Sequence, residues 1–153
     1  MVASELSNKE VLDRIPQREP FRFVDEIVEL SDEHVHSTYR FREDADFYRG
    51  HFPGNPVTPG VLLVESMAQA AVIPLAIRAW SQELSESDLA GMTTLFTDAE
   101  VEFSGVVRPG ETIHIVGERL FYRRRKLRAA CEIRLEDGTV VCSGKLSGMG
   151  IAL

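Results

Sequence analysis

Residues 59–73 read Pro-Gly-Val-Leu-Leu-Val-Glu-Ser-Met-Ala-Gln-Ala-Ala-Val-Ile, and this stretch decides the fold. Nearly every position is apolar or small, so a helix formed here has no polar face and is expected to be buried on most sides. Proline is favoured in the first turn of a helix, and Pro59 therefore fits the helix start. Pro74 follows directly and is expected to kink or end the helix, because its ring clashes with the preceding turn.

Strands are predicted on both sides of this helix. Residues 21–30 mix aromatic and β-branched residues and predict a first strand, and the apolar positions Val35, Tyr39 and Phe41 predict a second. After the helix, alternating apolar and polar residues predict four further strands, which begin near residues 100, 113, 127 and 139. The pattern predicts one α+β domain over residues 1–153, in which an antiparallel sheet of about six strands wraps around one long central helix.

Three local signals complete the predicted elements. The Ser-x-x-Glu spacing of Ser7 and Glu10 is a capping box and predicts a short N-terminal helix. The polar segment 81–91 predicts a short helix followed by a loop. Asp137-Gly138 predicts a two-residue hairpin turn of the type that requires positive φ.

Composition and charge exclude several classes of protein. The formal charge of −7 makes the chain a poor candidate for a nucleic-acid binder, because phosphate neutralisation needs a basic surface. The two cysteines do not make a disulfide framework, and the first five residues lack the pattern of a secretory signal. The most apolar stretch, residues 61–77, contains Glu65 and Gln69 and is expected to fall short of a membrane span. These features predict a cytoplasmic location.

Residues 51–70 carry the candidate chemistry. His51 lies on a loop rich in proline and glycine, and histidine is the usual general base near neutral pH. The helix start at Pro59-Gly60 offers free backbone N–H groups, which favour a developing oxyanion. Glu65 has apolar neighbours on the helix, so its pKa is expected to rise as a general acid requires. A base, an acid and an oxyanion site suit proton abstraction next to a carbonyl.

These same residues carry a resemblance to a known family. The His-Phe-Pro-Gly loop at 51–54, the Pro-Gly-Val at 59–61 and the helix with Glu and Met-Ala-Gln closely resemble the signature of β-hydroxyacyl-acyl-carrier-protein dehydratases of the hot-dog fold. Residues 15–25 resemble the family's N-terminal block, and residues 106–111 resemble its later Pro-Gly turn. The similarity extends from about residue 11 to about residue 148.

The resemblance implies a reaction and a place for each residue. It implies a hot-dog dimer with the active site at the interface, where one subunit supplies His51 and the other supplies Glu65. His51 would remove the C2 proton of a (3R)-3-hydroxyacyl thioester on acyl carrier protein, and Glu65 would protonate the leaving C3 hydroxyl, directly or through water. The N–H of Gly60 would bind the thioester oxygen, and a trans-2-enoyl thioester would remain. The expected substrate-binding residues also include Phe52, Pro59, Val61 and Gln69. No metal or redox cofactor is implied.

The chain departs from the family pattern at three places. Gln17 stands where the family commonly has histidine, Ser104-Gly105 lacks the family's basic residue, and Pro74 is unusual within the central helix. These departures favour a substrate with a specialised acyl chain over the substrates of housekeeping synthesis. The role of Gln69 is open between orienting the Glu65 carboxyl and satisfying a buried polar group at the dimer interface.

The segment 119–128 contains six basic residues and no acidic residue, although the whole chain is acidic. The run Arg123, Arg124, Arg125 and Lys126 is either a solvated hairpin turn or a docking patch for an acidic carrier protein. The expected assembly is a homodimer or a larger oligomer of dimers, and a heterodimer with a related subunit is a further possibility.

Other functions fit the same fold. A hot-dog thioesterase or isomerase would keep the architecture and change the reaction, and the isomerising relatives resemble a form with aspartate where Glu65 stands. A catalytically silent acyl-binding subunit is the third alternative. Loss of His51 or Glu65 would have supported it, and both residues are present.

Overall fold

The computed structural model describes residues 5–152 and contains a single antiparallel sheet. The strands are β1 Glu26–Leu30, β2 His34–Arg40, β3 Met92–Phe103, β4 Thr112–Arg123, β5 Lys126–Leu135 and β6 Val140–Ala152. Their order across the sheet is β1-β2-β4-β5-β6-β3, and every neighbouring pair is antiparallel. The predicted hot-dog arrangement is therefore confirmed. The predicted absence of a secretory signal rests on the first five residues, and four of these, Met1 to Ser4, lie outside the described residues.

Three helices and one 3-10 turn accompany the sheet in the described part of the chain. The central helix runs from Gly60 to Ser81, with Pro59 as its N-cap, so the predicted start is confirmed. The N-terminal helix is Asn8–Arg14, and the Ser7 side chain accepts a 3.1 Å hydrogen bond from the backbone N–H of Glu10. The short helix is Glu86–Ala90, and the 3-10 turn is Asp46–Arg49.

Pro74 does not end the central helix. The helix widens into a π-helical turn at Ala68–Val72 and then continues as α-helix over Ile73–Ser81. A π turn shifts the hydrogen-bond ladder, and this local change accommodates a residue that has no N–H. Because Pro74 cannot donate to the carbonyl of Ala70, the buried hydroxyl of Ser37 on β2 supplies a donor at 2.7 Å. The sheet thus stabilises the unusual turn of the helix.

The length of the central helix corrects one prediction. At 22 residues it is long and apolar enough to cross a membrane by length and composition, whereas residues 61–77 were expected to fall short. The difference arises because the helix continues past Pro74. In the structure 72% of its most apolar 18-residue window is buried inside the protein, as in the core helix of a globular domain.

The sheet closes tightly on the central helix. In β5 the inward-facing Leu127, Ala129 and Ile133 are fully buried, which confirms the alternation read from the sequence. In β4 a Cβ atom added at Gly117 would lie 2.9 Å from the Cβ of Ala71, so only glycine permits this close approach of helix and strand.

Several predicted boundaries were wrong. Strand β1 begins at Glu26 rather than Phe21, because the preceding backbone bonds to a helix side chain instead of a strand. Strand β3 begins at Met92, before the alternation used to predict it, because an edge strand with little burial shows no clear pattern.

The turn at Asp137-Gly138 differs from the prediction, whereas the basic run forms the hairpin turn that one of its two interpretations gave. The loop between β5 and β6 has four residues, 136–139, and among them only Gly138 has positive φ (88°). The tight two-residue turn lies between β4 and β5, where Arg124 and Arg125 have φ values of 51° and 64°. A turn with positive φ at both central residues usually carries Asn-Gly, so the Arg-Arg pair did not indicate this turn type, although a hairpin turn was one interpretation of the basic run.

Candidate active site

The carboxyl group of Glu65 is held by Gln69, one helical turn further along the central helix. Nε2 of Gln69 donates a 2.8 Å hydrogen bond to Oε1 of Glu65, and Gln69 is fully buried. The same amide accepts a 2.7 Å hydrogen bond at its Oε1 from the backbone N–H of Phe23 and donates to the carbonyl of Phe21 at 3.2 Å. Gln69 therefore contacts the Glu65 carboxyl and has its own polar atoms satisfied within the chain, and its place relative to a dimer interface stays a prediction.

This arrangement fixes where a proton on Glu65 would lie. The Phe23 N–H can only donate, so the amide of Gln69 must present its oxygen there and its NH2 group to Glu65. Oε1 of Glu65 then acts as an acceptor, and the proton of the neutral acid belongs on Oε2. Burial raises the pKa of Glu65 above its ordinary value, and the hydrogen bond from Gln69 opposes that rise only in part. The site therefore favours a proton-donating carboxyl.

Glu65 lines a small cavity between the central helix and the β3–β6 edge of the sheet. The cavity has a volume of about 30 Å³. Its polar lining includes Gln17 and Thr94 in addition to Glu65, and its apolar lining includes Ala68 and Val72.

The segment that carries Gln17 is anchored by the partly buried side chain of Arg22. The guanidinium of Arg22 donates to the carbonyl of Gln17 at 2.9 Å and to the carbonyl of Leu12 at 2.8 Å. Burial lowers the pKa of Arg22, and the nearby charge of Arg18 adds to that effect. These bonds satisfy carbonyls at the end of the N-terminal helix and fix the backbone of Gln17 beside the cavity.

His51 lies on the Pro/Gly loop and has a defined orientation. Its Nδ1 lies 2.8 Å from the carbonyl oxygen of Val57, which can only accept, so the neutral imidazole carries its proton on Nδ1. The lone pair is then on Nε2, where a general base needs it. Backbone hydrogen bonds between Phe52 and Asn55, of 3.2 and 2.9 Å, close the loop next to His51.

The start of the central helix lies directly after this loop. No side chain caps it at Pro59, and the Leu62 N–H donates to the Pro59 carbonyl, so the N–H groups of Gly60 and Val61 are the ones placed to bind an anionic oxygen. Gly60 packs against the ring of Phe103, where an added Cβ would lie 3.0 Å from Cε1. The neighbouring Phe52 and Val61 are 52% and 74% exposed, and they give this region an apolar rim.

The structure does not bring all the predicted residues into one place. Glu65 and Gln69 form one group, whereas His51, Phe52, Pro59, Gly60 and Val61 form another around the helix start. His51 is not among the residues that line the Glu65 cavity. His51 and Glu65 therefore do not line this cavity together in the described chain.

The four basic residues of the β4–β5 hairpin differ in whether they form an ion pair. Lys126 pairs with Asp98 at 3.2 Å, so its charge is partly neutralised. Arg123, Arg124 and Arg125 form no ion pair with another residue of the described chain.

Two polar residues of the cavity, Gln17 and Thr94, were not among the predicted site residues. Thr94 lies in the part of β3 that the alternation did not predict, so nothing in the sequence indicated its position. Gln17 was noticed only as a departure from a family pattern, and that departure was the available signal. In residues 5–152 no group of three or more His, Cys, Asp or Glu residues is arranged to hold a metal ion.

Comparison with known proteins places these features in a family. The FabA-like domain matches residues 15–145. The 3-hydroxyacyl-[acyl-carrier-protein] dehydratase FabZ of Lactobacillus helveticus is 36% identical over 148 residues, which cover 94% of this chain and 93% of that protein. The FabZ dehydratase of Shewanella frigidimarina is 35% identical over 142 residues, covering 90% of this chain and 88% of that protein.

Solved structures show the same fold at lower sequence identity. A chain of the dehydratase heterocomplex ApeI:P from Xenorhabdus doucetiae has a TM-score of 0.71 and 20% identity, covering 92% of this chain and 90% of that chain. A thioesterase from Haemophilus influenzae has a TM-score of 0.67 and 15% identity, covering 99% of this chain and 95% of that chain. At these identities the likeness concerns the fold alone, so the thioesterase match does not indicate hydrolysis.

Proposed function

The chain belongs to the FabA-like domain family, and from this premise we propose that it dehydrates a (3R)-3-hydroxyacyl thioester on acyl carrier protein to the trans-2-enoyl thioester. The observation that carries the proposal is the Glu65 carboxyl, whose pKa is raised by burial and which accepts a hydrogen bond from Gln69. Thioester hydrolysis would instead use an ionised carboxylate to activate water, and the raised pKa of Glu65 disfavours that form.

The proposed reaction moves one proton to His51 and one proton from Glu65. Nε2 of His51 takes the C2 proton, and the electron pair of the C2–H bond becomes the second bond between C2 and C3. The C3–O bond breaks, and the proton on Oε2 of Glu65 joins the leaving hydroxyl to give water. The N–H of Gly60 stabilises negative charge on the thioester oxygen during the transfer. Proton exchange with solvent then restores neutral His51 and neutral Glu65.

A second copy of the fold completes the proposed site. In the described chain β3 is an edge strand, and its side chains Leu95, Phe96 and Phe103 are 52%, 45% and 53% exposed. An open edge with exposed apolar side chains favours pairing with another strand. Because Leu95 and Phe96 line the Glu65 cavity, a partner joined at β3 is well placed to bring His51 to the Glu65 half-site. The partner is another copy of this chain or a related subunit.

The carrier protein is proposed to dock at the β4–β5 hairpin. Arg123, Arg124 and Arg125 present positive charge without an acidic partner in residues 5–152, and an acidic carrier protein would complement that charge. Strand register also places the hairpin close to the site, since Lys126 pairs with Met149 and Met149 pairs with Leu95 of the cavity. Two strand spacings correspond to about 10 Å.

A spectrophotometric assay tests the proposed reaction in both directions. The protein is mixed with a 3-hydroxyacyl thioester or with the enoyl thioester, and the conjugated double bond is followed. We expect exchange between the two forms, with a loss of about 100-fold or more in the His51→Ala and Glu65→Gln variants. Absence of exchange in the natural protein contradicts the dehydratase proposal. Release of free thiol supports the thioesterase alternative, and movement of the double bond supports the isomerase alternative.

A further inference from the structure

Two residues that line the Glu65 cavity each carry a buried polar atom without a partner in the described chain. Oε1 of Gln17 and Oγ1 of Thr94 are both buried, and neither forms a hydrogen bond with any group of the described chain. Both residues line the cavity that contains Glu65. Buried polar atoms are nearly always hydrogen-bonded, so two unpartnered ones on residues that line the same small cavity indicate a polar occupant.

The dimensions of the cavity limit what that occupant is. A water molecule needs a cavity of roughly 10–15 Å³ and two to four polar partners. The cavity of about 30 Å³ accommodates one or two water-sized groups, and Glu65, Gln17 and Thr94 supply three polar partners. Several atoms of an acyl chain would not fit, whereas a single oxygen does.

We propose that Gln17 and Thr94 bind the oxygen that leaves C3 of the substrate, beside Glu65. This inference rests on the proposed dehydratase function. When the C3–O bond breaks, negative charge develops on the oxygen, and the hydroxyl of Thr94 donates a hydrogen bond to it. The proton of Glu65 completes a water molecule, and Oε1 of Gln17 accepts a hydrogen bond from one of its O–H groups. In the reverse direction the same three side chains hold the water that adds to C3.

The two residues act at the C3–O bond and do not bind the acyl chain. Removing either hydrogen bond therefore lowers kcat and leaves KM nearly unchanged, because the interaction develops in the transition state. Thr94→Val removes the hydroxyl and keeps the shape, and Gln17→Leu removes the amide. Each variant should lower kcat for dehydration and for hydration by about 10- to 100-fold, with KM within about threefold.

Two further variants separate this role from a structural one. Thr94→Ser keeps a hydroxyl and should retain kcat within about fivefold of the natural protein, although it loses a methyl group. Thr93 neighbours Thr94 on β3 but does not line the cavity, so Thr93→Val is the matched control and should leave kcat unchanged.

The outcomes distinguish this inference from the proposed function itself. If the natural protein interconverts the two thioesters while Thr94→Val and Gln17→Leu keep full kcat, the oxygen site is wrong and the dehydratase proposal stands. If Thr94→Ser loses as much kcat as Thr94→Val, the shape of the residue matters rather than its hydroxyl, which also overturns the inference. If the natural protein interconverts nothing, the proposed function fails first.

Discussion

Gln69 donates a 2.8 Å hydrogen bond to Oε1 of Glu65 while it is itself fixed by the backbone of Phe21 and Phe23. This relationship joins the N-terminal segment to the acid on the central helix. It also leaves Oε2 as the oxygen that carries the proton. The hydrogen bonding of the Glu65 carboxyl therefore depends on a contact made by residues that are far apart in the sequence.

Replacing Gln69 should change the pH dependence of the reaction. The Gln69 hydrogen bond lowers the pKa of Glu65 against the stronger effect of burial, so Gln69→Met should raise that pKa further. A general acid works in its protonated form, and activity falls as the pH rises through its pKa. The alkaline limb of the kcat–pH profile, which Glu65 is expected to control, should therefore move to higher pH in Gln69→Met. In addition, kcat should fall about tenfold, because Oε1 of Glu65 is no longer oriented.

The control for this experiment is a second glutamine that contacts a carboxylate. Gln82 donates to Asp32 at 2.8 Å on the exposed surface, so Gln82→Met should leave the pH profile unchanged. An unshifted alkaline limb in Gln69→Met would show that the hydrogen bond does not tune Glu65.

The stability of the fold should also respond to Glu65. Its pKa is raised in the folded state from the ordinary value of 4.5, so the folded state binds the proton more tightly than the unfolded state. Glu65 therefore lowers the free energy of unfolding only where it must ionise. This loss is absent below the pKa of Glu65 in the unfolded chain and develops as the pH rises through its raised pKa in the folded protein. Glu65→Gln should therefore raise Tm at pH 8, and the gain should shrink towards pH 4. Thermal unfolding of Glu65→Gln and of the exposed control Glu102→Gln at both pH values checks this.

Mixing two inactive variants tests whether the site is shared between subunits. His51→Ala and Glu65→Gln each destroy one half-site, but a mixed dimer contains one complete site. Random reassortment should therefore restore about a quarter of the natural activity. A mixture of Glu65→Gln with the double variant should restore nothing, because neither chain supplies Glu65. If the first mixture also stays inactive after exchange of subunits, the two half-sites do not belong to different chains.

The central helix and the order of the elements could be predicted because their signals are local. An all-apolar stretch indicates a core helix, and alternation indicates strands with one buried face. The continuation past Pro74 could not be predicted, since it depends on Ser37, which the sheet brings to the Ala70 carbonyl. For the same reason His51 and Glu65 were identified by a motif, whereas Thr94 became visible only when β3 was placed beside the helix.

The Ser37 contact gives a prediction for stability. Ser37→Ala removes a buried donor from the Ala70 carbonyl and should lower the free energy of unfolding by about 1–3 kcal/mol. The matched control is Ser104→Ala, because the Ser104 hydroxyl donates to a carbonyl at an exposed site. Pro74→Ala restores an N–H to the helix, so the cost of Ser37→Ala should be smaller in that background. Denaturant unfolding of the natural protein, Ser37→Ala, Pro74→Ala and the double variant completes a double-mutant cycle that measures the coupling between the two positions. A coupling near zero would contradict the compensation of Pro74 by Ser37.

The Arg-Arg turn of the β4–β5 hairpin allows docking and stability to be separated. Arg124 and Arg125 both have positive φ, which costs a non-glycine residue about 1–2 kcal/mol. Replacing the pair with Asn-Gly, through Arg124→Asn and Arg125→Gly, suits a type I′ turn better and removes two positive charges. Tm should therefore rise, while KM for the carrier-bound substrate should increase about tenfold and KM for a small thioester should stay unchanged. The effect on KM should also weaken at high salt, since exposed charges are screened. Equal KM changes for the two substrates would contradict docking at the hairpin, even if the gain in Tm is observed.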